Sequence, residues 1–277
     1  MIGNVSALTG TLPTTAAGTG GTVSGQTVYV PFQFWFNRNP GLALPLIALQ
    51  YHEVKFNLEF ETFANLQDVV NDNNWSDATP TLGDTSLWID YVYLDTDERR
   101  RFAQTSHEYL IEQLQFTGDE SLSGVNNKVK LNFNHPVKEL VWVIQNDNRT
   151  GNNFSDVNGS SLGQIASAGV NPCSNAKLQL NGHDRFAQRD GTYFNWVQPY
   201  QHHTNVPSTG INVYSFGLKP EEHQPSGTAN MSRIDNATLQ LTLTSNANAA
   251  NPIVKVYAVN YNVLRIMSGM GGLAYSN

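Results

Sequence analysis

The sequence predicts an all-β protein: an antiparallel, eight-stranded jelly-roll sandwich within residues 86–277, preceded by two further strands. Three observations carry this. Apolar residues recur at every second position through most of the chain, the period of a half-buried strand. Only one short stretch, about 96–104, reads as helix, which disfavours alternating βα units and a parallel sheet. Charged residues are 14% of the chain, well below the usual roughly 25%. Asn, Thr, Ser, Gly and Gln supply the polarity instead, a mix suited to turns and β surfaces.

Residues 1–26 are Gly, Thr, Ser and Ala with little else and read as a flexible segment. Alternation then begins. Val28, Val30, Phe32, Phe34 and Phe36 share one face of a strand over 27–36. Val54, Phe56, Leu58 and Phe60 share one face of a second over 51–61, with Glu53, Lys55, Asn57 and Glu59 opposite. Asn37-Arg38-Asn39-Pro40-Gly41 is the turn signal between them. Residues 27–65 thus make one unit. Residues 66–85, polar and holding Pro80 and Gly83, make a linker.

Eight strand candidates follow, at about 86–94, 109–117, 128–134, 138–145, 176–182, 211–218, 237–244 and 252–266. Alternation is clearest in Val129/Leu131/Phe133 and in Leu239/Leu241/Leu243. The run Leu140-Val141-Trp142-Val143-Ile144 is apolar on both faces, as a central strand is. The helix at 96–104 has Asp95 placed to cap it and Glu98 three residues later, the spacing of a capping box. Eight strands with long irregular connections fit a jelly roll. The two earlier strands are left over, as though they close a preceding domain.

A chain of 277 residues can bury roughly three quarters of its unfolded surface, so its core needs no staples. The net charge of -7 leaves no basic stripe for nucleic acid; the run Arg99-Arg100-Arg101 is balanced by Asp95, Asp97 and Glu98. Cys173 is the single cysteine, so no intrachain disulfide forms. The apolar stretch Leu42 to Leu49 is too short for a membrane span and contains Pro45.

No catalytic, cofactor-binding or metal site emerges. His202 and His203 are adjacent and point to opposite faces of an extended chain; no His-x-His pair of the cupin kind occurs. Asp95, Asp97 and Glu98 read as a helix N-terminus, where carboxylates meet the dipole. There is no phosphate loop or Cys-based zinc pattern, and Cys173 reads as an inert thiol. Sequons at Asn4, Asn74, Asn148, Asn153, Asn158, Asn230 and Asn236 are read as unmodified in the absence of a secretory signal; those at 148–158 mark an exposed loop, expected to span 146–172. Tyr193, Phe194, Trp196 and Tyr200 form an aromatic group within a long loop at 185–209, with Trp196 and Tyr200 as candidate subunit-contact residues.

Several segments resemble a known family. Phe34-Trp35-Phe36-Asn37-Arg38-Asn39-Pro40-Gly41-Leu42-Ala43-Leu44-Pro45 and the residues through His52 resemble the end of the first jelly roll in major capsid proteins of nucleocytoplasmic large DNA viruses. Tyr93-Leu94-Asp95-Thr96-Asp97-Glu98-Arg99-Arg100-Arg101-Phe102 resembles the start of the second jelly roll. Ser215-Phe216-Gly217-Leu218-Lys219-Pro220 through Gly227 and Ser232-Arg233-Ile234-Asp235-Asn236-Ala237 resemble the signature of its later strands, and Tyr261 to Tyr275 the C-terminus. The chlorella-virus and iridovirus branches are the most similar. On this resemblance residues 27–65 are the last strands of an incomplete first jelly roll and 86–277 the second.

The resemblance implies a structural protein and not an enzyme. Such chains form homotrimers whose six jelly rolls make pseudo-hexameric capsomers, and these tile an icosahedral shell. The implied partners are further copies of the chain, neighbouring capsomers and minor capsid proteins, with no direct nucleic acid contact and no membrane insertion. The implied location is the virion, with assembly in the host cytoplasm. No cofactor is implied. The rival readings are a glycan-binding jelly-roll module, which would be monomeric with measurable sugar affinity, and a jelly-roll enzyme, which would need convergent carboxylates or a metal cluster.

Overall fold

The structure, a computed structural model, describes residues 27–60, 83–146, 171–244 and 252–275. The expected helix forms as α1, Thr96–Gln104, and the Asp95 carboxylate accepts a hydrogen bond from the Glu98 amide at 2.9 Å. The strands are β1 His107–Ser121, β2 Asn126–Leu131, β3 Pro136–Asn146, β4 Cys173–Leu180, β5 His183–Asp184, β6 Arg189–Asp190, β7 Ile211–Ser215, β8 Ala229–Asn230, β9 Ala237–Leu243, β10 Pro252–Met267 and β11 Met270–Leu273.

The strands make two sheets, and every pairing between them is antiparallel. The first runs β1-β10-β3-β7, with β11 on β10 and β8 on β3; the second runs β2-β9-β4-β5, with β6 on β4. The long strands pair with neighbours remote in sequence, β1 with β10, β10 with β3 and β2 with β9, and the chain steps from one sheet to the other between β1 and β2, β2 and β3, and β3 and β4. That winding is a jelly roll.

The core lies between the sheets and follows the period of two. Val129 and Leu131 of β2, Ala176 and Leu178 of β4, and Ala237, Leu239, Leu241 and Leu243 of β9 face Leu140, Trp142 and Ile144 of β3 and Val254, Val256 and Ala258 of β10. The doubly apolar run in β3 is explained by position. The strand lies inside its sheet between β10 and β7, and Val143 on its other face is buried as well.

Three expected strands are corrected. Residues 27–36, 51–60 and 86–94 run without pairing to any described strand. Alternation marks a segment shaped for a pleated, half-buried surface, but a ladder also needs a partner edge, and no described strand supplies one. Their apolar side chains stand exposed, Trp88, Tyr93, Leu58 and Phe60 among them. The opposite error occurs at β5, β6, β8 and β11, which were not expected: strands of two to four residues are too short to carry a period. The linker at 66–85 lies mostly outside the described residues, as do the segment 1–26 and most of the loop at 146–172.

Cys173 lies in the core beside Trp142. Burial pushes its thiol up to about 12, with the Trp142 indole pulling the other way. At pH 8 the thiol is then almost wholly protonated, and the thiolate that reacts is scarce. Native protein should therefore resist alkylation at pH 8 and react stoichiometrically once unfolded; rapid labelling of the native state would contradict this burial. The sign for stability follows. A folded thiol raised above its unfolded value of 9.0 contributes fully below pH 9, and the contribution is lost as pH climbs toward the folded value.

Candidate interaction surfaces

The group at 193–200, expected as one aromatic patch in a loop, is divided by a helical turn. A π-helical turn, Tyr193–Val197, runs into α2, Gln198–His202. Its inner side is fixed by polar side chains. Asn195 Nδ2 donates to the Ser208 carbonyl at 3.1 Å and the Ile211 carbonyl at 2.8 Å. Gln198 Nε2 donates to Tyr193 Oη at 2.8 Å, and its Oε1 accepts from the Ser215 amide at 3.1 Å. Phe194 is fully buried, 5.2 Å from the Trp142 ring and 5.4 Å from Phe186. The Arg189 guanidinium lies 4.6 Å from the centre of the Tyr193 ring. At the head of the turn Asp190 accepts from the Thr192 hydroxyl and amide, bonds that hold its carboxyl below the usual range.

Trp196 and Tyr200 face outward, 57% and 81% exposed. Four residues apart on a helical segment, they lie on one side of it. Leu218 is exposed on the loop that His202 Nδ1 meets through the Leu218 carbonyl at 2.9 Å. The turn is tied to the first sheet at its end, where His203 Nε2 lies 2.7 Å from Glu139 Oε2. The two residues singled out from sequence are thus rigidly mounted and open to solvent, whereas Phe194 belongs to the core.

A second feature escaped the sequence reading. Glu112 of β1, with a side chain only 7% exposed, pairs with the nearly buried Lys138 of β3 at 2.7 Å and with Arg38 at 3.0 Å. His223 Nδ1 lies 4.0 Å from the same carboxylate. Burial, then the charges of Glu112 and Glu139, push the neighbouring Tyr261 phenol up to about 12. Each of these residues reads in sequence as an ordinary outward polar position; only the sheet brings them together.

A third surface is aromatic. Phe34 stacks on Phe36 at 5.1 Å and sits 6.0 Å from Phe56, and Phe32 is 5.6 Å from Phe34. The two segments expected as strands therefore meet through their rings, on a face that stays largely open.

Among the described residues, no group of three or more His, Cys, Asp or Glu side chains could hold a metal ion. No helix among them is long and apolar enough to cross a membrane. The sequons at Asn230 and Asn236 are exposed; Asn230 Oδ1 accepts from the Ser232 amide, and the Asn236 amide donates to Asn181 Oδ1; the other five lie outside the described residues.

Comparison with known proteins matches the family model of the large eukaryotic DNA virus major capsid protein to residues 98–272, and that of the major capsid protein N-terminus to residues 14–95. The major capsid protein of Pyramimonas orientalis virus is 55% identical over 291 residues, covering 97% of this chain and 66% of the relative. That of Paramecium bursaria Chlorella virus 1 is 47% identical over 296 residues, covering 90% and 66%. Among solved structures, the PBCV-1 virus capsid superposes with a TM-score of 0.73 at 41% identity, covering 90% of this chain and 70% of that one. The chain thus spans about two thirds of the length of the curated relatives it matches.

Proposed function

Because the chain belongs to the large eukaryotic DNA virus major capsid protein family, we propose that it is a structural shell subunit and that its work is to tile, not to catalyse. The observation that carries this is the family match laid over the whole described sandwich, from α1 to β11. The architecture suits the task. Two sheets shield the backbone polar groups and leave the connections free to carry contacts.

In this reading three copies associate, and their jelly rolls make a pseudo-hexameric capsomer that packs against neighbouring capsomers and minor capsid proteins in an icosahedral virion assembled in the host cytoplasm. Residues 27–65 belong to the end of a first jelly roll, and 86–277 carry the second. The exposed alternating faces at 27–36 and 51–60 support this, since such faces call for partner strands. The net charge of -7 supports a shell that makes no direct contact with nucleic acid.

The test is mass and shape. At tens of micromolar, light scattering should give about three times 30.6 kDa. A monomer at every concentration, with sugar binding on a glycan panel, would replace this reading with the glycan-binding one. Trp196 and Tyr200 are the proposed anchors between copies. Trp196→Ala should weaken the trimer about tenfold or more, the effect of losing a buried aromatic anchor, and leave the melting transition of the separated chain within about 2 °C. Unchanged trimer affinity removes Trp196 from the contact.

A further inference from the structure

We propose that Glu112 is the catch of a latch, one that fastens residues 34–52 to the sandwich only when the first sheet is complete. The inference goes beyond the shell reading and rests on the geometry of the cluster.

Among the described residues, three polar or aromatic contacts that join residues preceding α1 to residues following it matter here. Arg38 Nη1 donates to Glu112 Oε2 at 3.0 Å. The Trp35 ring lies 5.8 Å from the Tyr109 ring of β1. The Tyr51 amide donates to the Gly269 carbonyl at 2.9 Å, in the turn between β10 and β11. That turn is tight: Ser268 and Gly269 have φ of 52° and 83°, and a Cβ added at Gly269 would stand 2.5 Å from the Tyr51 ring. Arg38 is itself steadied by its turn, where Nη2 donates to the Gln33 carbonyl at 3.4 Å and the Asn37 side chain donates to the Phe32 carbonyl.

Of the three, the Arg38 contact depends on the assembled sheet. Glu112 is on β1 and Lys138 on β3, and β10 runs between them. Tyr261 of β10 stands directly opposite Glu112 in register, and Lys138 Nζ passes 5.4 Å from the centre of its ring to reach the carboxylate. Three strands must therefore be in register before Glu112 Oε1 is engaged and Oε2 is aimed outward. On an unpaired β1 the carboxylate is solvated, and an exposed pair with Arg38 contributes almost nothing. On the finished sheet the carboxylate is desolvated and fixed, and its second oxygen offers a strong, charge-assisted acceptor. The charged and titratable groups around it are Arg38, Lys138, His223 and Tyr261, with Glu139 and its partner His203 beyond. Docking of 34–52, and with it the seating of the Phe32–Phe34–Phe36–Phe56 face, is thereby made conditional on a completed β1-β10-β3 sheet.

Hydrogen exchange on the full chain tests this, with the Tyr51 amide as reporter because its acceptor lies across the joint. Arg38→Met removes the bolt and leaves Glu112 paired with Lys138. It should speed Tyr51 exchange at least tenfold while amides of 107–116 and 257–266 stay within twofold of the parent. Glu112→Gln removes the catch and should speed both sets. Unchanged Tyr51 exchange in Arg38→Met overturns the latch. So does equal acceleration of Tyr51 and the sheet amides in that variant, because Arg38 would then be part of the sandwich and not a fastening upon it.

Discussion

Trp142→Ala is expected to remove about 3–5 kcal/mol of stability, the range for truncating a large aromatic in a packed core. Trp142 is fully buried on the inner face of β3, with Phe194 5.2 Å away and Cys173 in the same cluster. It joins the sandwich core to the helical turn that carries Trp196 and Tyr200, so its loss opens a cavity where three elements meet. For a unit of this size the melting temperature should fall by roughly 10 °C. Trp142→Phe is the informative partner. Among the described residues the indole N–H has no oxygen or nitrogen acceptor, and the Cys173 sulfur is a weak one. Phenylalanine would keep most of the apolar contact and remove a poorly satisfied donor, at a cost below about 1.5 kcal/mol. Equal damage from both variants, read by denaturant titration, would show that the indole donor matters more than the ring's volume.

Gly191→Ala should be nearly as harmful through the opposite fault. Gly191 is buried at the entrance to the helical turn, and a Cβ there would meet the Cys173 carbonyl oxygen at 1.9 Å and its carbon at 3.0 Å. The obstacle is the backbone of β4, which cannot rotate aside as a side chain can. Either the turn or the strand must shift, and overpacking of this kind costs about 1–3 kcal/mol or more. Because the turn mounts Trp196 and Tyr200, the proposed trimer should weaken along with the fold. Gly272→Ala is the control, since no atom outside its chain neighbours lies within 4 Å of the added carbon; it should melt with the parent. A parent-like melt and assembly for Gly191→Ala would mean that the approach to β4 is looser than the structure has it.

What could be read from the sequence was whatever a local period or cap encodes. Val129 and Leu131, and Leu239, Leu241 and Leu243, announce their strands because one face is wet and the other dry. Asp95 and Glu98 announce α1 because the cap is made by the residues themselves. The family was legible for a different reason, through long stretches such as Phe34 to His52 that resemble known capsid chains. The helical turn was not legible. Asn195 and Gln198 fix it by reaching Ser208, Ile211 and Ser215, residues that no local window includes. Nor was the Glu112–Lys138–Arg38 cluster, whose members lie 26 and 74 residues apart. Residues 86–94 misled in the other direction: their pattern states that they would suit a sheet, and a pattern cannot say whether an edge is there to receive them.

The pairing of β1 with β10 also sets a clock. His107 lies opposite Ile266 and Ser121 opposite Ile253, so the first long strand of the sandwich finds its neighbour only near the far end of the chain. At translation speeds of about 5–20 residues per second, roughly 7–30 s pass between the synthesis of the two partners. Throughout that interval β1 offers an open edge flanked by Leu114 and Phe116, both still exposed in the finished fold. Non-local closure of this kind is slow even after release from the ribosome. In a cell filling with identical nascent chains, the edge of one copy is within reach of another copy's β10 before its own has been made, and yield depends on how rarely that exchange takes hold.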